Sequence, residues 1–262
     1  PMTDFQQTAL ELAAEQQTPA WLAALRQQGA STWAAAAWPG RKTEHWKYIS
    51  LAPLQQCEQL GWSSESDDVA LDAVEQIELD AIRLVFVNGR FNAARSSALP
   101  AGVVRFADAN TEQQALIQQH LGKVVDSERH MFAALSNAWA ADGVLLHVAR
   151  GHKLEKPVYI VNVSTAQANP VAASQRVLVV LEDNAEAELI EHYASDSVSQ
   201  NGFVNSLTEV VVGNNAQVQH YRINLEQEDL LHVGGVHVNL QRDARFHGFT
   251  LAQGSRLKRI DY

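Results

Sequence analysis

A single cysteine in 262 residues, Cys57, excludes an internal disulfide and cannot alone build a cysteine-rich zinc or iron–sulfur cage. Stability must come from packing, and a reducing compartment is expected. Long hydrophobic runs are also missing: no window approaches the roughly 18 uninterrupted apolar residues that a membrane-crossing helix needs. The opening Pro1-Met2-Thr3-Asp4 shows no basic segment followed by an apolar one, so no secretory leader is read there. A surplus of positive charge is absent too. Twenty Lys and Arg stand against 30 Asp and Glu, with 10 basic and 16 acidic side chains in residues 1–141 and 10 and 14 in residues 142–262. Neither half offers the basic surface that nucleic acid or an anionic membrane would require. A cytoplasmic protein of one large domain or two modest ones is expected.

The common local signatures of catalysis are missing as well. There is no Gly-x-x-x-x-Gly-Lys-Ser/Thr loop, no Gly-x-Gly-x-x-Gly after a strand, no Gly-x-Ser-x-Gly elbow and no His-Glu-x-x-His helix. Nucleotide-dependent and hydrolytic chemistry therefore lack local support.

The residues present are unevenly placed. Five of six tryptophans lie in the first quarter, at 21, 33, 38, 46 and 62, whereas 18 of 26 valines follow residue 142. The front reads helical and the back reads as strand. Phe5, Ala9, Leu12 and Ala13 recur at helical spacing behind a Thr3/Gln6 capping box. Thr18-Pro19 supplies an N-cap and a first-turn proline for a second helix bearing Trp21, Leu22 and Leu25, with Gly29 as its stop. A further helix is expected over 127–141, where Met131, Phe132, Leu135 and Trp139 share a face ahead of Asp142-Gly143. Between these, Arg83–Val87, the turn Asn88-Gly89 and Arg90-Phe91 form a hairpin signal.

From Val144 onward the pattern is short strands and turns, with candidates at 144–148, 158–163, 177–181, 187–193, 209–212, 218–223, 236–240 and 246–251. Three stretches, 180–190, 211–221 and 239–249, each read strand, polar turn ending in Asn-Ala or Asp-Ala, strand. Their turn alanines, Ala185, Ala216 and Ala244, are separated by 216 − 185 = 31 and 244 − 216 = 28 residues. Such a recurrence is the mark of stacked coils in a solenoid, an ordinary sandwich of three similar hairpins being the alternative. Alternation places Ala187, Val218 and Phe246 inside and Glu188, Gln219 and His247 in an outward ladder. The same alternation sets His237 and Asn239 outward between inward Val236, Val238 and Leu240.

Among candidate chemical groups, His192, His220, His232, His237 and His247 all fall in the β region, and His247 on a ladder with Glu188 and Gln219 is an N/O environment a divalent metal could use. Alternation favours solvated or hydrogen-bonded strand histidines instead, and no metal or catalytic residue is assigned. Cys57 has no Cys or His at ligand spacing and no adjacent base, which favours an inert thiol over a cluster ligand or nucleophile. Arg41-Lys-Thr-Glu-His-Trp-Lys-Tyr48 is the densest polar-aromatic stretch, either a recognition surface with cation–π contacts or the seam of a helical subdomain.

That stretch also carries a resemblance. Pro39–Leu51 resembles the Arg-Lys-x-Glu-x-Trp-Lys-Tyr-(Thr/Ser)-x-Leu signature near the N-terminus of the SufD family of the SufBCD iron–sulfur cluster assembly system. Arg83-Leu-Val-Phe-Val-Asn-Gly-Arg-Phe91 and Gly151-His-Lys-Leu-Glu-Lys-Pro-Val-Tyr-Ile160 are similar to two further family motifs and arrive in the family's order. The resemblance implies a mainly β protein: an N-terminal helical or α+β region over 1–141, a right-handed parallel β-helix over 142–262, and an end short of the family's last coils and C-terminal helical domain. It implies a non-catalytic scaffold that pairs with a SufB-like paralogue and acts with the SufC-like ABC ATPase. The family's cluster-building cysteine and histidine lie outside the matched motifs, so no residue inherits those roles. This portion itself is expected to bind no cofactor, the iron–sulfur cluster and a reduced flavin being associated with the whole complex. Exposed strand edges would favour a homodimer. The rival from another class is a carbohydrate-active β-helix enzyme using outward carboxylates such as Glu188 and Glu191 as acid and base.

Overall fold

The computed structural model describes residues 2–39, 59–64, 78–165, 169–195, 202–225, 231–252 and 257–261. The helices are α1 (Asp4–Glu15), α2 (Ala23–Ala35), α3 (Thr111–His120) and α4 (Met131–Ala138). The strands are β1 (Gly61–Trp62), β2 (Ile82–Val87), β3 (Arg90–Phe91), β4 (Val103–Arg105), β5 (Val144–Val148), β6 (Val158–Ser164), β7 (Val171–Leu181), β8 (Glu186–Ser195), β9 (Gly202–Val212), β10 (Gln217–Leu225), β11 (Leu231–Leu240), β12 (Arg245–Ala252) and β13 (Leu257–Asp261).

The strands from β5 to β13 pair with one another only in parallel, so the region is a parallel β-helix and not a sandwich of hairpins; β4 closes the first sheet by pairing antiparallel with β5. One sheet has the order β13-β11-β9-β7-β5-β4, with β1 also beside β7; the other has the order β12-β10-β8-β6-β2-β3. The chain passes from one sheet to the other through the repeated Asx-Ala turn. Asn184, Asn215 and Asp243 hold positive φ of 62°, 56° and 57°, which short polar side chains tolerate. The alanines behind them point into the core, Ala185 and Ala216 fully buried. Successive turns are stitched together: the Asn184 amide donates to the Asn214 carbonyl, and the Asn215 amide to the Arg242 carbonyl.

Between the sheets, the coil ends next to these turns are filled by Leu84, Phe86, Val144, Leu146, Val158, Ile160, Val177, Val179, Leu189, Val210, Val212, Val218 and Val236. Each such side chain contributes about 1.5–3 kcal/mol when fully buried. The outer face of the first sheet is covered by helices: Phe5, Ala9 and Leu12 of α1, Trp33 of α2 and Phe132 and Leu135 of α4 pack on Phe203, Leu231 and Val233. The expected hairpin is present, with Phe86 opposite Phe91 and Val87 opposite Arg90, and Asn88 and Gly89 both at positive φ as a two-residue turn of this hand requires. Because β2 then continues the second sheet beside β6, residues before 142 supply strands to both sheets.

The Thr3/Gln6 capping box forms as expected. Three local expectations are corrected. Gly29 does not stop the second helix, which runs through it to Ala35; a Cβ there would fall 2.5 Å from the Ala138 amide nitrogen and 2.7 Å from the Ala134 carbonyl, so the glycine is the crossing point of α2 and α4. Pro19 caps a short 3₁₀ turn, Ala20–Leu22, and the α-helix starts only at Ala23. The helix expected over 127–141 is confined to Met131–Ala138, all of it buried: ahead of it the Arg129 and His130 amides close a separate turn on the Asp126 carbonyl, and Trp139 caps its end. Leu240 is also corrected: it is 49% exposed at the end of β11. The Arg41–Tyr48 stretch and Cys57 lie outside the described residues. No helix among those residues is long and apolar enough to cross a membrane.

Candidate functional site

The inward-facing positions change character along each coil. Next to the Asx-Ala turns they are aliphatic; at the other end they become Asn162 of β6, Gln175 of β7, Glu191 and Tyr193 of β8, Ser206 and Thr208 of β9, His220, Arg222 and Asn224 of β10, and His232 of β11, all buried. One end of the helix interior is therefore rich in polar groups, which is costly unless they are satisfied.

Glu191 anchors one cluster. Its carboxylate meets His220 Nε2 at 2.6 Å and accepts from Thr208 Oγ1 at 2.8 Å on both oxygens and from the Tyr193 hydroxyl at 3.4 Å. Burial alone would raise its pKa; the His220 hydrogen bond and charge, the nearby Arg222 and the Thr208 hydroxyl outweigh burial and hold it at about 2. Arg222 anchors the other. Its Nη2 donates to Ser206 Oγ at 2.6 Å and lies 3.1 Å from His232 Nε2, while the guanidinium stacks 4.6 Å from the centre of the Tyr193 ring. Asn224 Nδ2 meets the second His232 nitrogen at 3.0 Å. Gly234 makes room for this arrangement, since a Cβ there would lie 2.4 Å from Arg222 Nη2.

A second polar centre sits on the outer face of the helix-covered sheet. Glu209, fully buried, accepts from Arg176 Nη2 at 2.6 Å and from the backbone amides of Gly122, Val124 and Val125 at 2.8, 2.9 and 3.2 Å. Arg176 Nη1 also donates to Ser136 Oγ and Asn137 Oδ1 of α4. One carboxylate thus ties β7, β9, the 121–126 loop and α4 together.

The five strand histidines do not converge. His220 and His232 face the interior; His192 lies on the outer face of the second sheet, 2.6 Å from the Tyr159 hydroxyl, and burial lowers its pKa. His237 stands on the opposite sheet against His130, ring centres 4.9 Å apart. His247 is exposed and in register with Gln219 and Glu188 on the outer ladder, as expected. Among the described residues no group of three or more His, Cys, Asp and Glu is arranged to hold a metal ion. The carboxylate pair of the carbohydrate-enzyme reading is separated by the strand itself: Glu188 faces out and Glu191, three residues on, faces in with no exposure. Glu191 is therefore not an outward carboxylate. Sequence reasoning missed Arg176, Glu209 and Arg222; the signal for them was a charged residue inside an otherwise aliphatic strand.

The described residues thus form a parallel β-helix with one face roofed by helices from the front of the chain and with buried polar groups paired across strands. The chain belongs to the SufBD family: residues 3–160 match the SufBD protein N-terminal region, and residues 162–262 match the SufBD core domain of SUF-system FeS cluster assembly. Similar relatives include the iron–sulfur cluster assembly SufBD family protein slr0076 of Synechocystis, 26% identical over 84% of this chain and 51% of the relative. The iron–sulfur cluster assembly protein SufD of Escherichia coli is 28% identical over 81% of this chain and 49% of its own length. SufD of Bacillus subtilis is 28% identical over 78% and 48%. The chain spans about half the length of these relatives.

Proposed function

We propose that this chain is a non-catalytic scaffold portion of a SufD-like subunit in iron–sulfur cluster assembly, working beside a SufB-like paralogue and an ABC-type ATPase in the cytoplasm. The observation that supports it most is the match of both family regions, in order, to a β-helix whose buried acids and bases are tied to one another. A proton-transfer catalyst needs a group whose pKa lies near the working pH. Glu191, at about 2, stays ionised and acts as a structural anion. In this reading the cluster, and any reduced flavin, belong to the complete assembly and not to this portion. The full-length gene product, expressed with the SufB-like and ATPase-like products of the same genome, is expected to co-purify with both under gentle conditions; recovery of neither partner would overturn the proposal.

Self-association extends the same reading. On β12, Phe249 and Leu251 are 70% and 60% exposed, on a strand with no further neighbour among the described residues. Exposed edges with apolar side chains invite pairing. Light scattering across a wide concentration range is expected to show a species heavier than the monomer; a monomer throughout would count against it.

A further inference from the structure

The first sheet has a gap. Strand β7 pairs with β9 along its whole length, Val171–Leu181, but on its other side β1 covers only Val171 and Ala172 and β5 covers only Val177–Leu181. Residues 173–176, about 13 Å of extended chain, have no strand beside them there among the described residues. The hydrogen-bond parity shows which groups are left facing the gap. The Pro170 carbonyl accepts from the Gly61 amide, and the Glu182 amide donates to the Val148 carbonyl, so even-numbered residues of this strand turn their main-chain groups away from β9. The N–H and C=O of Ser174 and the N–H of Arg176 therefore point into the gap.

The gap opens on a cavity of about 920 Å³. One wall is the β2–β3 turn, where Gly89 lies so close to Ala173 that a Cβ would be 3.3 Å from the alanine methyl. Toward the interior the lining includes Ile160 and Asn162, and toward the outside Trp62 and Trp139. Asn162 Oδ1 is buried and has no hydrogen-bond partner. It is an acceptor facing a space of ligand size.

We infer that this gap is a docking site for an extended, uncharged peptide segment of a partner polypeptide, which adds a short strand between β1 and β5. Three features select that occupant. The edge supplies main-chain donors and an acceptor at strand spacing, the recognition mode of strand addition. Alternate side chains of a seated strand would point to opposite sides, one toward Asn162, which asks for a small hydroxyl or amide donor, and the next toward the two indoles, which ask for an apolar group. The charged residues of the lining leave no excess of either sign: Arg105 Nη2 is 2.6 Å from Asp142, Arg176 is paired with Glu209, and Glu15 and Arg90 are one of each sign, so the site asks for no net charge. The proposal does not depend on the assembly role proposed above.

The test is residue-resolved amide exchange by NMR on the full 262-residue chain, with acetyl-Thr-Val-Thr-Val-amide as probe and its Nα-methylated analogue, which cannot pair through the backbone, as control. In the free chain the Ser174 and Arg176 amides should exchange at least about 100-fold faster than those of Leu178 and Val180, which have the same parity but are covered by β5. The probe should slow those two amides by one plus the ratio of peptide concentration to Kd, and the methylated analogue should not. Ser174→Pro, which removes a gap-facing donor and leaves the β9 pairing intact, should abolish the response. The inference is overturned if the two amides are already as protected as Leu178, if the probe gives no change there up to its solubility limit, or if both peptides act alike. Protection that grows with protein concentration alone would overturn it in favour of a second copy of the chain.

Discussion

Glu209→Ala is expected to lower folding stability by about 3–5 kcal/mol, the range for breaking a buried ion pair by removing one partner. The size follows from what is stranded. Arg176, 1% exposed at its side chain, would keep a buried charge with only the Ser136 and Asn137 oxygens as acceptors. The Gly122, Val124 and Val125 amides would also lose their acceptor. Glu209→Gln retains one carbonyl oxygen and should cost less. Urea denaturation of the three proteins measures this, and amide exchange at Val124 and Val125 should accelerate more than exchange in β10, because the carboxylate holds the 121–126 loop specifically. A loss under about 1 kcal/mol for the alanine variant would show that packing of α4, and not this anion, holds the loop.

Acid should destabilise the protein in two stages. Glu191 has its pKa depressed from the ordinary 4.5 to about 2. For a depressed acid the unfolded chain binds the proton more readily, so its contribution is fully present above pH 4.5 and is lost as the pH falls toward 2. The depression corresponds to about 3 kcal/mol. His192 acts earlier and in the same direction: burial lowers its pKa below the ordinary 6.5, so the unfolded chain again takes up the proton first, and stability declines as the pH falls below 6.5. Thermal melts between pH 7.5 and 2.5 should show both declines. Glu191→Gln should flatten the lower one while leaving the upper. An unchanged slope between pH 4.5 and 2.5 in that variant would show that another acid carries the effect.

How far these centres could be read from the chain depends on the range of the interaction that makes them. The solenoid was legible because its signal is local and repeated: an Asx-Ala turn, with aliphatic residues alternating on either side, returns after 31 and then 28 residues. The turn residues adopt the left-handed conformation that Asn and Asp tolerate. The outward ladder of Glu188, Gln219 and His247 was legible for the same reason, since strand periodicity decides which side each residue takes. Helix α1 carried its own cap.

Gly29 shows where that kind of reading ends. By local propensity it is a helix terminator, yet its place is decided by the close approach of α4, more than a hundred residues away. Glu191 is a second example. Alternation counted from Ala187 puts it inside, but its charge argued for the outside, and only His220 and Thr208, brought alongside by parallel pairing, make the interior tolerable. The Glu209–Arg176 centre shows locally only as a charge within each strand, which does not name its partner, and the gap beside Ser174 has no local signature. One needs an acid and a base 33 residues apart to meet on adjacent strands; the other exists because, among the described residues, two short strands, β1 and β5, leave four residues of β7 uncovered.

By itself, then, the amino-acid sequence determined the repeat, the faces of the strands and the family, because each depends on spacing along the chain. The tertiary structure decided which polar groups are buried together, which charges are paired and where an edge is open. Those depend on register between coils, and register is set by the packing of the whole interior.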